Sequence, residues 1–165
     1  MKPLAALVLL FISGFALSDT LYCDQQTDAR QVIDNQVSHP RLKSCNTTDL
    51  EHVVPASWCL PTYCESRDNC DHADYNRFYK DTINLQPALS CINRSRGNKP
   101  YGDIAGDLSE YTGCDIEMTR DVMEPPDDKK AELALRTLYV AKEYGELCRF
   151  PAGYLDLMRD WAGAS

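Results

Sequence analysis

Eight cysteines constrain this chain of 165 residues more than any other feature: Cys23, Cys45, Cys59, Cys64, Cys70, Cys91, Cys114 and Cys148. All of them follow an N-terminal stretch with the layout of a secretory signal peptide. In it Lys2 supplies a positive start, Leu4 to Ile12 an apolar run and Ala16-Leu17-Ser18 a cleavage motif. The run is too short to span a bilayer comfortably, and polar residues follow it at once. Residues 1–18 are therefore read as a signal peptide and residues 19–165 as one domain. An even cysteine count behind an export signal predicts four disulfides, whose pairing stays open. A zinc site built from Cys59, Cys64 and Cys70 is the competing reading. It lacks a CxxC pair, and thiolates oxidise outside the cytosol.

The charge balance narrows the partners. The chain has 17 basic and 25 acidic residues for a net charge of −8, and loss of the leader with Lys2 would make it −9. A nucleic-acid-binding protein usually presents a basic footprint. Contact with a polyanion would here rest on a local patch and a bound cation rather than on the global field.

No internal repeat, low-complexity tract or Gly/Ser linker divides the domain. Spacing predicts a helix over 24–37, a short strand over Leu50–Val54 closed by Pro55, and a stapled loop over 56–73. A helical pattern broken near Pro87 covers 74–96, and a short strand is expected at Ile116–Met118. A helix starts after Glu124-Pro125-Pro126-Asp127-Asp128, because proline suits a first turn and aspartates favour the positive end of the dipole. It carries Leu133, Ala134, Leu138 and Ala141 and stops at Gly145, and a last helix spans Tyr154–Trp161. The class is α+β, helix-rich.

Three histidines limit the chemistry. His39 precedes a proline in a turn, and His72 reads as a solvated group. His52 follows Glu51 at the head of a β-prone run, where a neutral imidazole is a competent general base and the carboxylate a natural ligand for a hard cation. Taken alone, Glu51-His52 is an ordinary polar dipeptide. Downstream stand Asp81-Thr82-Ile83-Asn84-Leu85-Gln86-Pro87-Ala88 and Asn93-Arg94-Ser95-Arg96-Gly97-Asn98. They offer an amide oxygen and two arginines suited to forked phosphate contacts.

EHVVPAS at 51–57, DTINLQPA at 81–88 and NRSRGN at 93–98 resemble the signature of the bacterial endonuclease I family of periplasmic or secreted nucleases. GCDIEM at 113–118, the EPPDD helix start and the Leu157-Met158…Trp161 end extend the likeness over nearly all of 19–165. The resemblance implies a ββα-metal (His-Me finger) core stapled by disulfides. Glu51 and Asn93 would ligate one divalent cation, normally Mg²⁺ with Mn²⁺ or Ca²⁺ as alternatives, and His52 would be the general base. Arg96 would hold the scissile phosphate, with Arg94 as a second substrate contact. It further implies cutting of DNA, with RNA as a second substrate, to 5′-phosphate ends without strong sequence preference. A monomer that acts away from any membrane is also expected. Tyr79 stands where the family carries an acidic residue, so a water-positioning carboxylate would come from Asp81 or Asp74. The acidity adds an expectation of activity that persists at high salt, because few basic contacts release few counterions. The alternative function is a secreted, disulfide-rich nucleic-acid binder that does not cut. A metalloprotease is disfavoured by the lack of an HExxH helix.

Overall fold

The computed structural model describes residues 20–22, 47–67, 69–106 and 115–163. The leader, the helix expected over 24–37, His39, Cys23, Cys45 and Cys114 lie outside them. Strand β1 (Thr48–His52) pairs antiparallel with β2 (Leu85–Leu89) in the register Thr48↔Leu89 to His52↔Leu85. Helix α1 (Ala73–Tyr79) lies between them in sequence, and β2 runs straight into α2 (Ser90–Arg96). A second ladder pairs β3 (Glu117–Met118) with β4 (Met123–Glu124), followed by α3 (Asp127–Tyr144) and α4 (Tyr154–Trp161). The class is mixed α and β. No helix among the described residues is long and apolar enough to cross a membrane.

The helical pattern expected over 74–96 is corrected to helix, turn, strand, helix. Leu85, Ala88, Leu89 and Ile92 fall at spacings of three, four and seven, which imitates one helix face. Those positions in fact straddle a strand and the following helix. Pro87 is tolerated because it needs no donor there, while its carbonyl accepts from Leu21 N at 2.8 Å. Gly97 ends α2 with φ +59°, a backbone region open to glycine, and its N–H bonds the Asn93 carbonyl.

Strand β1 begins two residues earlier than Leu50 and stops at His52, because the buried Asn84 takes over the backbone beyond it. Val53 N donates to Asn84 O (2.9 Å) and Val54 N to Asn84 Oδ1 (2.8 Å), while Asn84 Nδ2 donates to Val54 O (3.1 Å). The DTINLQPA segment thus docks on the EHVVPAS segment through one amide side chain.

Two apolar clusters carry the packing. One joins Val53, Leu89, Ile92, Ile116, Leu133 and Met158, and the other joins Val54, Tyr75, Phe78, Val140 and Tyr144. Helix α3 contributes to both through Leu133, Ala134, Thr137, Val140 and Tyr144, with Leu138 and Ala141 half-buried. At its end a Cβ on Gly145 would sit 2.3 Å from the Ala141 carbonyl oxygen, so space dictates glycine. The stapled loop is confirmed in part. Cys59–Cys148 joins it to the segment after α3 at a sequence separation of 89, and Cys64–Cys70 closes a short loop. Cys91 is disulfide-bonded too, and no described cysteine is free. A loop of 89 residues gives Cys59–Cys148 on the order of 4–5 kcal/mol in a chain-entropy account.

Asp81 anchors the turn before β2. Its Oδ2 accepts from Tyr144 OH (2.7 Å) and Tyr139 OH (3.0 Å), and Oδ1 from Ile83 N (2.9 Å). Burial opposes its charge, but these bonds outweigh it and hold the carboxyl below its ordinary value. A lowered folded pKa means stability that is present above the unfolded value and lost as pH falls through the folded one. Asp81→Asn is expected to cost about 1 kcal/mol at pH 7, with the difference from wild type shrinking below about pH 4. Urea unfolding at the two pH values checks it, and an equal loss at both would refute it.

Candidate active site

His52 closes β1 half-buried, with the Phe78 and Tyr79 rings at 6.1 and 4.7 Å. Its Nε2 lies 3.0 Å from the Tyr79 carbonyl oxygen. A carbonyl only accepts, so Nε2 carries the proton and Nδ1 keeps the lone pair. Burial lowers the imidazole's pKa, the Tyr79 carbonyl opposes this, and the charges of Arg67 and Arg96 lower it further. The ring is neutral at pH 7, which is the form a general base requires.

Glu51 faces the other way, as neighbours on a strand do, and is 2% exposed. Its Oε1 accepts from Arg96 Nη1 and from Tyr22 OH (3.2 Å), and Tyr22 OH in turn meets Tyr101 OH at 2.6 Å. Burial raises its pKa while Arg96 opposes the rise. Asn93, half-buried on α2, donates Nδ2 to the Leu50 carbonyl at 3.4 Å, so its carbonyl oxygen is the end left for a ligand.

Arg96, expected to hold the scissile phosphate, lies in the interior. The side chain is fully buried, with Nε on Lys99 O (3.3 Å), Nη1 on Glu51 and His52 O (2.9 Å), and Nη2 on Val53 O (2.7 Å). Its guanidinium stacks 4.1 Å from the Tyr101 ring centre. All three nitrogens make hydrogen bonds in the interior, and through them Arg96 clamps the end of β1. Arg94 is exposed and stands 3.7 Å from Asp49.

Asp81 is taken up by two tyrosines, and Asp74 sits exposed beside Arg77 at the start of α1. His72, expected to be solvated, is half-buried and caps α1 by accepting from Tyr75 N at 3.2 Å. Two features escaped sequence reasoning. One is the Tyr79 backbone, which acts through a carbonyl that has no residue-type signature. The other is Arg67, an exposed cation in the Cys64–Cys70 loop whose charge is felt at His52. Its only sequence signal is a basic residue inside a short cysteine-closed loop.

These groups put an imidazole at a strand end, beside a buried carboxylate and a helix-borne amide oxygen. The chain belongs to the endonuclease I family, whose model matches residues 17–158. It is 33% identical over 104 residues to an endonuclease-1 of Buchnera aphidicola subsp. Acyrthosiphon pisum (strain APS), covering 58% of this chain and 41% of that protein. It is 32% identical over 106 residues to an extracellular deoxyribonuclease of Aeromonas hydrophila (59% and 46% covered). A periplasmic deoxyribonuclease of the same species matches at 31% over 122 residues (68% and 50%). The chain spans about half the length of the curated relatives it matches, between 41% and 50% in these three.

Proposed function

We propose that this chain is a secreted or periplasmic, divalent-metal-dependent nuclease that hydrolyses phosphodiester bonds of DNA, and of RNA as a second substrate, as a monomer. The observation that carries the reading is His52, held as a neutral base by the Tyr79 carbonyl at the end of β1. The family membership, relatives named as extracellular and periplasmic deoxyribonucleases, and disulfides suited to an oxidising compartment support it. The antiparallel pairing of β1 with β2, and the run of β2 into α2, support the reading of a ββα-metal core.

Glu51 and Asn93 would hold the cation, normally Mg²⁺. Their donor chemistry fits, since a carboxylate and an amide are hard oxygen ligands. Arg96 and Tyr22 both bond Oε1 of Glu51, so Oε2 is the oxygen proposed to face the ion. Among the described residues no three His, Cys, Asp or Glu side chains converge as a metal cage. A cation here would therefore keep much of its water, as Mg²⁺ prefers. Bound there, it would supply charge opposite the developing phosphorane and the leaving 3′ oxygen.

The chain's own residues do the rest. Nδ1 of His52 takes the proton of the attacking water, the Tyr79 carbonyl holds the resulting imidazolium through Nε2–H, and Arg94 with Arg67 holds phosphate oxygens. In-line attack forms the bond from water oxygen to phosphorus and breaks the P–O3′ bond; the 3′ oxygen leaves and takes its proton from water, so the other product carries a 5′-phosphate. Contacts confined to the backbone carry no base identity, so weak sequence preference follows.

Supercoiled plasmid is expected to be nicked and then linearised in Mg²⁺, with EDTA abolishing the activity and excess Mg²⁺ restoring it. Cleavage unaffected by EDTA would overturn the metal assignment. The non-cutting alternative is favoured by one observation, the Arg96 pairing that competes for Glu51. It predicts that plasmid is retarded in a gel but never shortened.

A further inference from the structure

Strand β1 and helix α2 face each other through two acid–arginine pairs. Glu51–Arg96 is sealed, with side chains 3% and 0% exposed, and Arg96 also holds three backbone carbonyls. Asp49–Arg94 is open, with side chains 48% and 63% exposed and 3.7 Å between the charged atoms. That distance is beyond a hydrogen bond, so the contact between these two side chains is electrostatic and solvent reaches both. A spacing of two puts Asp49 on the same side of β1 as Glu51. Arg94 directly follows Asn93, whose amide holds the carbonyl of Leu50, the residue after Asp49. The open pair therefore borders the proposed metal ligands.

We infer that Asp49 is a resident counterion for Arg94 that yields the arginine to a DNA phosphate on binding, making this contact nearly independent of salt. The inference rests on the nuclease reading for the identity of the polyanion. A solvated arginine that meets a phosphate displaces a condensed cation from DNA, and each such contact steepens log K against log [salt] by about 0.9. An arginine drawn from Asp49 instead exposes a carboxylate that recruits a cation. One ion is released and one taken up, so the net release falls toward zero. Parting Asp49 from Arg94 costs little, while the sealed pair is not exchangeable. An acidic nuclease gains from this device, since it keeps a phosphate contact where salt would otherwise strip it.

The experiment is fluorescence anisotropy with a labelled DNA duplex, in Mg²⁺ and a series of salt concentrations, on the full chain carrying His52→Ala so that the duplex stays whole. Added Asp49→Asn is expected to tighten Kd at the lowest salt about two- to five-fold and to steepen the salt slope by about 0.9. Arg94→Gln alone should weaken binding with little change of slope. Asp49→Asn on top of Arg94→Gln should then do nothing. An unchanged slope in Asp49→Asn overturns the exchange. So does the same tightening in the Arg94→Gln background, which would mean plain repulsion by Asp49. Plasmid cleavage by the otherwise unaltered chain is scored separately. Binding without cleavage sinks the nuclease reading alone, and cleavage with an unchanged slope sinks the exchange alone.

Discussion

The His52→Ala substitution is expected to slow plasmid cleavage by about 10²–10⁴-fold, the usual contribution of a positioned general base. The imidazole is neutral at pH 7, and its Nε2 proton is fixed on the Tyr79 carbonyl. Removing it takes away the only group proposed to accept the proton of the attacking water. The fold should survive. His52 is only half-buried, and the loss of one carbonyl bond costs about 1 kcal/mol. Rates measured beside circular dichroism separate the two effects. A variant that kept its fold and cut within a few-fold of wild type would remove His52 from the mechanism.

The second large effect is on stability. Arg96→Met is expected to destabilise the protein by about 3–5 kcal/mol, because it strands the Glu51 carboxylate at 2% exposure without its partner. The His52, Val53 and Lys99 carbonyls lose their donor in the same step. For a domain of this size that corresponds to a fall in Tm of roughly 6–20 °C. An arginine serving mainly to grip phosphate would behave differently. Its loss would raise KM and leave the melting curve in place, and that outcome would overturn the clamp. Pairing the change with Glu51→Leu should recover much of the stability while ending activity, since an apolar pair of similar volume can replace a buried ion pair.

Much of the secondary structure was legible because its signals are local. The prolines and aspartates before α3 and the apolar spacing of α4 are read within a few residues, and both helices lie where spacing places them. Strand β2 was not legible. Its apolar positions imitate a helix, and what makes it a strand is pairing with β1, some 35 residues away. Asn84 is a similar case. Within DTINLQPA it is one polar residue among several, yet it is fully buried and bonds the backbone of Val53 and Val54.

The candidate site divides along the same line. The sequence by itself determined the chemical inventory: an even set of cysteines, one histidine beside a carboxylate, and an amide and arginines downstream. Those follow from residue type and order, which sequence carries completely. Only the tertiary structure decided how the pieces are used. NRSRGN reads as an amide oxygen and two equivalent arginines, but half a turn of α2 sends Arg96 inward to Glu51 and leaves Arg94 outside beside Asp49. It also brought the Tyr79 carbonyl to His52 and the charge of Arg67 within reach of it. Burial, carbonyl direction and the pairing of charges 45 positions apart belong to packing, and packing is where a polar residue becomes either a clamp or a contact.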